Sequence, residues 1–236
     1  MNKKIKTTTI LMCIFLMGLN IKAQEMRTFQ YTQNGNVKLM IFLSEIDSIT
    51  FVDYSIPNTS SGVEINGVVW AACNVNTPGT FASKPEDAGM FYQWNRNIGW
   101  SSSNPLENNT GGTQWNNSIP AGNTWTSENN VCPAGWRLPN LNEHESLLNS
   151  GSFWGTLNGV NGRFFGNDEK RIFLPAAGYR YNTSGTLDDD VGYIGFYWSN
   201  TEISSENAYH ILFGMNSAYI NSLSRAYGFS VRCVKE

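Results

Sequence analysis

Charged residues are scarce in this chain. Only 15% of its 236 residues are Asp, Glu, Lys or Arg, and only two are histidine. General acid–base chemistry therefore has few groups to draw on, and no Gly-x-Ser-x-Gly, P-loop or His-Glu-x-x-His pattern is present. Basic residues are scarcer still: 16 Lys and Arg face 19 Asp and Glu. Four of those lysines lie in the first 23 residues, and without them 12 basic groups face 19 acidic ones, a net charge near −7. A chain with no basic patch is a poor match for nucleic acid or an anionic membrane surface. No Cys-x-x-Cys or His pair has zinc-ligand spacing, and no cofactor is expected. The longest apolar stretch, Ile10 to Leu19, is shorter than the roughly 20 residues a membrane-spanning helix needs, so no membrane insertion is expected.

That stretch has another reading. A basic start (Lys3, Lys4, Lys6), an apolar middle and a small residue at Ala23 make residues 1–23 a secretory signal peptide, with export to the cell surface or beyond. Acylation at Cys13 is the competing reading, and Met12 stands where a lipoprotein signal needs a small residue. Export permits a disulfide among Cys73, Cys132 and Cys233, and the odd count leaves one thiol over. Cys132–Cys233 is the favoured pair; it would close a loop of about 100 residues and tie the middle of the chain to its end. Cys73 is then a buried small apolar residue.

Residues 24–54 read as a small β unit, with Asn34-Gly35 as a hairpin turn and "SITFVDY" as a third arm. "SIPNTSSG", 55–62, is a linker, and the main domain spans 63–236. Within it, "VEINGVVWAACNV" reads as a hairpin about Asn66-Gly67. Residues 101–130 form a long Ser/Asn/Gly/Thr loop that Trp115 and Trp125 would pin to the body. Asn140 and Glu143 have capping-box spacing at the start of a helix that Gly151 ends. His144 is expected on its exposed face. "RIFLPAAGYR", "GYIGFYWSN", "AYHILFG", "AYINSLS" and "GFSVRCVK" are short and strand-like. The class expected from this pattern is α+β, with one or two helices and many short antiparallel strands. Arg137, Arg180 and Arg232 are expected to act as structural pegs.

"CPAGWRLPNLNEHESL", "FLPAAGYR", "GFYWSN" and "GFSVRCVKE" resemble the Fibrobacter succinogenes major paralogous domain family over nearly all of 63–236. "LSEIDSITF" is similar to a short element on exported Bacteroidetes proteins. The resemblance implies a C-type lectin-like fold, supports the Cys132–Cys233 pairing, and places a ligand on the strands before the C-terminus. Sugar-binding relatives of that fold carry Trp-Asn-Asp for calcium where this chain has Trp198, Ser199 and Asn200, so calcium-dependent sugar binding is not expected. The acidic run Asp188 to Asp190 reads as a solvated turn, with a calcium site as the alternative, since successive carboxylates repel unless a cation bridges them. A related use of the fold, in proteins diversified by retroelements, would fit the Tyr, Ser, Asn and Ala mixture at 200–227.

That mixture is also the composition of a paratope, in which rigid aromatic rings are combined with adaptable hydrogen bonding. The expected function is a secreted or surface-exposed, non-catalytic binder of a protein or glycan. Its contact residues would be Trp198, Asn200, Glu202, Asn207, His210, Asn216, Tyr219, Asn221, Ser224 and Tyr227. Tyr209 could serve equally as contact or core. The alternative is a structural subunit of a surface or fimbria-like assembly.

Overall fold

The structure, a computed structural model, describes residues 26–33, 36–43, 62–167 and 169–236. The chain divides into two units, Met1–Tyr54 and Ser55–Glu236. In the first, β1 (Met26–Gln33) and β2 (Asn36–Leu43) pair antiparallel from Met26 opposite Leu43 to Gln33 opposite Asn36. The signal peptide, the Asn34-Gly35 turn, the "SITFVDY" arm and most of the linker lie outside the described residues.

The second unit is built from short strands. β3 (Val63–Ile65) and β4 (Val68–Trp70) form a hairpin whose Asn66 and Gly67 both take positive φ, 50° and 79°, the geometry that makes Asn-Gly the preferred tight turn. Next come β5 (Met90–Tyr92), β6 (Gly99–Ser101) and β7 (Trp136–Arg137), followed by helix α1 (Leu141–Asn149). After the helix, β8 (Ser152–Leu157), β9 (Val160–Gly166) and β10 (Arg171–Pro175) make one antiparallel meander. β11 (Gly195–Glu202), β12 (Asn207–Phe213) and β13 (Ala218–Ser224) make another. The last strand, β14 (Val234–Lys235), enters between β4 and β7 to give the order β3-β4-β14-β7.

This architecture overturns the expected α+β class and C-type lectin-like form. Among the described residues the protein is mostly β, several small antiparallel sheets with one helix of nine residues. Runs of two to eight residues between turns suit strands, and isolated helices of that length are marginal in water. The single helix persists because its start is well capped. Asn140 accepts from the Glu143 N–H (2.9 Å), and Glu143 accepts from the Asn140 N–H (2.8 Å) while holding Arg137 through both oxygens (2.7 and 2.9 Å). His144 departs from its expected exposed position: it is buried and stacked on Trp70, with ring centroids 5.9 Å apart. His144, Leu147 and Leu148 follow i, i+3, i+4 spacing and share the inward face.

Strands β11 and β12 are covered on both faces. Alternation sends Phe196, Trp198, Ala208 and Leu212 to one side, against Phe229, Val231 and Trp94. It sends Tyr197, Ile211 and Phe213 to the other, against Trp70, Leu147 and Phe165. Cys132 and Cys233 form a disulfide with Cα atoms 6.0 Å apart, and Cys73 is a buried free thiol. The bridge closes 101 residues, so removing it by a Cys132→Ala, Cys233→Ala double change should cost about 2–4 kcal/mol in urea unfolding. A loss under about 0.5 kcal/mol would show that the unfolded chain gains no freedom from the cut.

The loop over 101–130 is held in two ways. Trp115 packs on Trp100 (5.0 Å) and donates to the Asn182 carbonyl (2.9 Å), and Trp125 meets Trp94 edge-on (5.7 Å). Beneath it, framework side chains donate to main-chain carbonyls: Gln93 to Asn116 (2.6 Å), Arg96 to Ser118 (3.1 Å), Asn95 to Ala121 (3.1 Å) and Arg180 to Ser101 (2.7 Å) and Ser103 (2.6 Å). Arg232, wholly buried, uses the same chemistry inside the core. Its donors reach the carbonyls of Ala71 (3.0 Å), Ala72 and Phe173 (3.0 Å), and Oδ1 of Asn74 (2.9 Å).

Candidate functional site

The ten expected contact residues sort by the side of the sheet they occupy. Across β11, β12 and β13, one row reads Phe196, Leu212, Tyr219 and the next Trp198, His210, Asn221. The first two members of each row are buried, and the β13 members are exposed. Trp198 packs its ring 4.2 Å from Phe229 and donates Nε1–H to the Tyr92 carbonyl (2.8 Å). His210 lies 4.9 Å from Phe229, and burial drives its imidazole down to about 4 despite a smaller opposing effect of the Ala208 backbone. Both are core residues.

Four others are engaged locally. Glu202 accepts from Arg225, whose guanidinium lies over the Trp94 ring at 4.2 Å. Asn207 closes the β11–β12 turn: its carbonyl accepts from Ile203 (3.1 Å) and Ser204 (3.2 Å). Asn200 is half-buried, with its N–H on the Pro139 carbonyl (2.8 Å), and the Ser224 carbonyl accepts from the Tyr227 N–H (3.1 Å). Asn216, Tyr219 and Asn221 stand in the open. Tyr209 is half-buried on the opposite face.

Tyr227 leads to residues that the sequence reading passed over. It is half-buried and belongs to a tyrosine cluster, 5.7 Å from Tyr179 and 6.5 Å from Tyr181, which are themselves 5.0 Å apart. Asp188 holds this cluster. Its carboxylate accepts from the Asp190 N–H (2.8 Å) and from the hydroxyls of Tyr181 and Tyr179. Burial pushes the Asp188 carboxyl up, and these hydrogen bonds outweigh it, leaving the group below the ordinary carboxylate range. Tyr179 is held well above the usual phenol range, first by burial and then by its bonds to Tyr181 and Asp188. For Tyr181 the bond to Asp188 is the main cause of an upward shift. The acidic run therefore has one member in the scaffold, Asp188, while Asp189 and Asp190 face solvent. Among the described residues no group of three His, Cys, Asp or Glu side chains converges as a metal site would require.

The same loop, 187–194, projects Tyr193, at 68% the most exposed large hydrophobic side chain among the residues with described burial, followed by Met215 at 64%. Met215 sits at the tip of the β12–β13 hairpin, which abuts that loop: a Cβ on Gly214 would lie 3.5 Å from the Tyr193 carbonyl. Arg163, itself buried, grips the hairpin through the Gly214 (3.0 Å) and Met215 (3.4 Å) carbonyls. Two adjoining and well-anchored loops thus present Tyr193, Met215, Asn216 and, at the root of β13, Tyr219. The sequence did carry a signal for the tyrosine cluster, since Tyr179-Arg180-Tyr181 sends two aromatics to the same side of an extended segment. Tyr193 and Met215 carry no pattern that separates them from core residues. Phenols, amides, a thioether and carboxylates already in hydrogen bonds make this surface suited to stacking and hydrogen bonding.

Residues 140–234, from the helix N-cap to β14, match the model of a family described as a domain of unknown function (DUF8237). No curated protein matches the chain, and no solved structure does.

Proposed function

We propose that this is a secreted, non-catalytic ligand-binding protein whose contact surface is the 187–194 loop with the β12–β13 hairpin. Export rests on the leader-like residues 1–23. The observation that carries the reading is the pairing of exposure with rigidity. Tyr193, Met215 and Tyr219 are 68%, 64% and 47% exposed, on loops fixed by Arg163 and by the Asp188 clamp. Holding large apolar groups in water on a fixed backbone suits a partner that buries them, because little ordering remains to be done on binding. The resemblance of 63–236 to the Fibrobacter succinogenes paralogous domain family belongs to the same proposal. So does diversification by a retroelement, confined to Asn216, Tyr219 and Asn221 because Trp198 and His210 hold the core. An imperfect repeat near the gene, differing mainly at template adenines opposite those codons, is the test of the last point.

Binding itself is tested on a glycan and glycoprotein array with the native chain and a Tyr193→Ala, Tyr219→Ala variant. Both side chains are exposed, Tyr219 about half, so the variant should unfold within about 1 kcal/mol of the native protein. Its array signal should fall at least about tenfold, the effect of losing an aromatic anchor. Undiminished signal would remove this surface from consideration.

A further inference from the structure

Sheet β11–β12–β13 is finished on one side only. β11 is flanked by parallel bridges, Gly178 to Gly195 and Ser230 to Tyr197. β13 ends the sheet, with no strand beyond it among the described residues. β13 pairs with β12 in unbroken register from Ala218 opposite Phe213 to Ser224 opposite Asn207. The Ser222 N–H goes to the side chain of its own neighbour, Asn221 (2.8 Å), and so is not spent on β12. In an antiparallel ladder the donors alternate between the two sides of a strand, so the N–H groups of Ala218, Ile220, Ser222 and Ser224 point away from the sheet.

Natural edges are blunted by lysine, proline, a bulge or a covering element. "AYINSLS" has no charge and no proline, and its register shows no bulge. Ile220, on the face whose core cluster Leu148 of α1 also packs against, and Leu223, on the other face, are only partly buried. We propose that a second copy of this chain pairs with it antiparallel, β13 against β13, to form a closed two-fold dimer with a continuous six-stranded sheet.

The composition of the strand argues for a copy of itself as occupant. A two-fold axis at Asn221 sets Ile220 opposite Ser222 and Tyr219 opposite Leu223 on each side. No like charges meet, and both half-buried apolar residues gain cover. The Asn221 side chain gives up the Ser222 N–H, which then donates across the axis. The dimer would share Tyr219 and Asn221 of β13 with the proposed ligand surface and leave Tyr193 and Met215 outside the strand pairing; it would set two copies of the Tyr193 and Met215 surface in one assembly, the condition for avidity.

Sedimentation equilibrium of the native protein at about 10–100 µM is the test. A dimer is expected. Ser222→Pro lacks an outward donor, sits where strand prolines are tolerated, and should raise the dissociation constant at least about tenfold. Ser222→Lys should do the same by placing a charge on the edge, so a folding defect in either variant alone leaves the test intact. A Tyr193→Ser, Met215→Ser variant should remain dimeric. A native protein that is monomeric throughout would overturn the proposal, as would a dimer indifferent to both Ser222 changes. Loss of the dimer in the Tyr193, Met215 variant, or growth beyond two copies, would overturn it as well.

Discussion

Arg232→Met should be among the most destabilising single changes in the protein, with a loss of about 4 kcal/mol or more in denaturant unfolding. Arg232 is 1% exposed, and its donors meet three main-chain carbonyls and Asn74. Methionine fills much of the volume and donates nothing. Each stranded buried acceptor costs about 1–3 kcal/mol, and local relaxation recovers part of the total. Tyr197, pushed up to about 12 chiefly by burial, feels the same defect, since its hydroxyl accepts from Asn74 (3.1 Å) while donating to Pro175 (2.9 Å). Arg232→Lys should recover little, because one ammonium cannot span carbonyls that a planar fork reaches in several directions. A methionine variant within about 1 kcal/mol of the native protein would mean that the network holds without its centre.

Mild acid should destabilise the protein before its carboxylates titrate. Burial holds His144 at about 3 and His210 at about 4 in the folded chain, against about 6.5 when unfolded. Below pH 6.5 the unfolded chain therefore takes up two protons that the folded chain refuses. Stability is then lost as pH falls, at about 1.4 kcal/mol per unit for each histidine, until the folded values are reached. By pH 5 the combined loss should be about 4 kcal/mol. Asp188 and Glu143, both held below the ordinary carboxylate range, add their losses only at lower pH. Urea midpoints at pH 7.5 and 5.0 measure the effect, and His144→Gln should remove about half of the slope whatever it does to the absolute stability. An unchanged slope would place the acid-sensitive groups elsewhere.

These two results turn on residues that the sequence disclosed unequally. The Asn140 and Glu143 cap and the Asn66-Gly67 turn follow from local chemistry, the Cys132–Cys233 bridge is the favoured pairing that the family resemblance supports, and all three are present. The β8–β9 hairpin was equally legible in Asn158-Gly159, both at positive φ, and the sequence reading passed over it. His144 lies between Glu143 and Glu145, which suggests an exposed face, whereas its helical spacing to Leu147 and Leu148 turns it inward. The fold class failed for a wider reason. Short strands announce themselves singly, whereas the sheets they join are set by pairings up to some 160 residues apart, such as β4 with β14. The contact surface was half legible. Tyr219 and Asn221 alternate outward along β13, but which of the many remaining aromatics stay in water depends on what packs behind them.

The framework holds its long loop and its hairpin tip by their carbonyls. Gln93, Asn95, Arg96, Arg163, Arg180 and Arg225 all grip peptide oxygens there. A carbonyl is the same whichever amino acid carries it. The shape of these segments is thus inherited from the scaffold, while the identity of most of their side chains is left open. Mutational drift at positions such as Met215, Asn216 or the exposed members of 101–130 can proceed without renegotiating the fold, which makes this surface the part of the molecule most able to evolve.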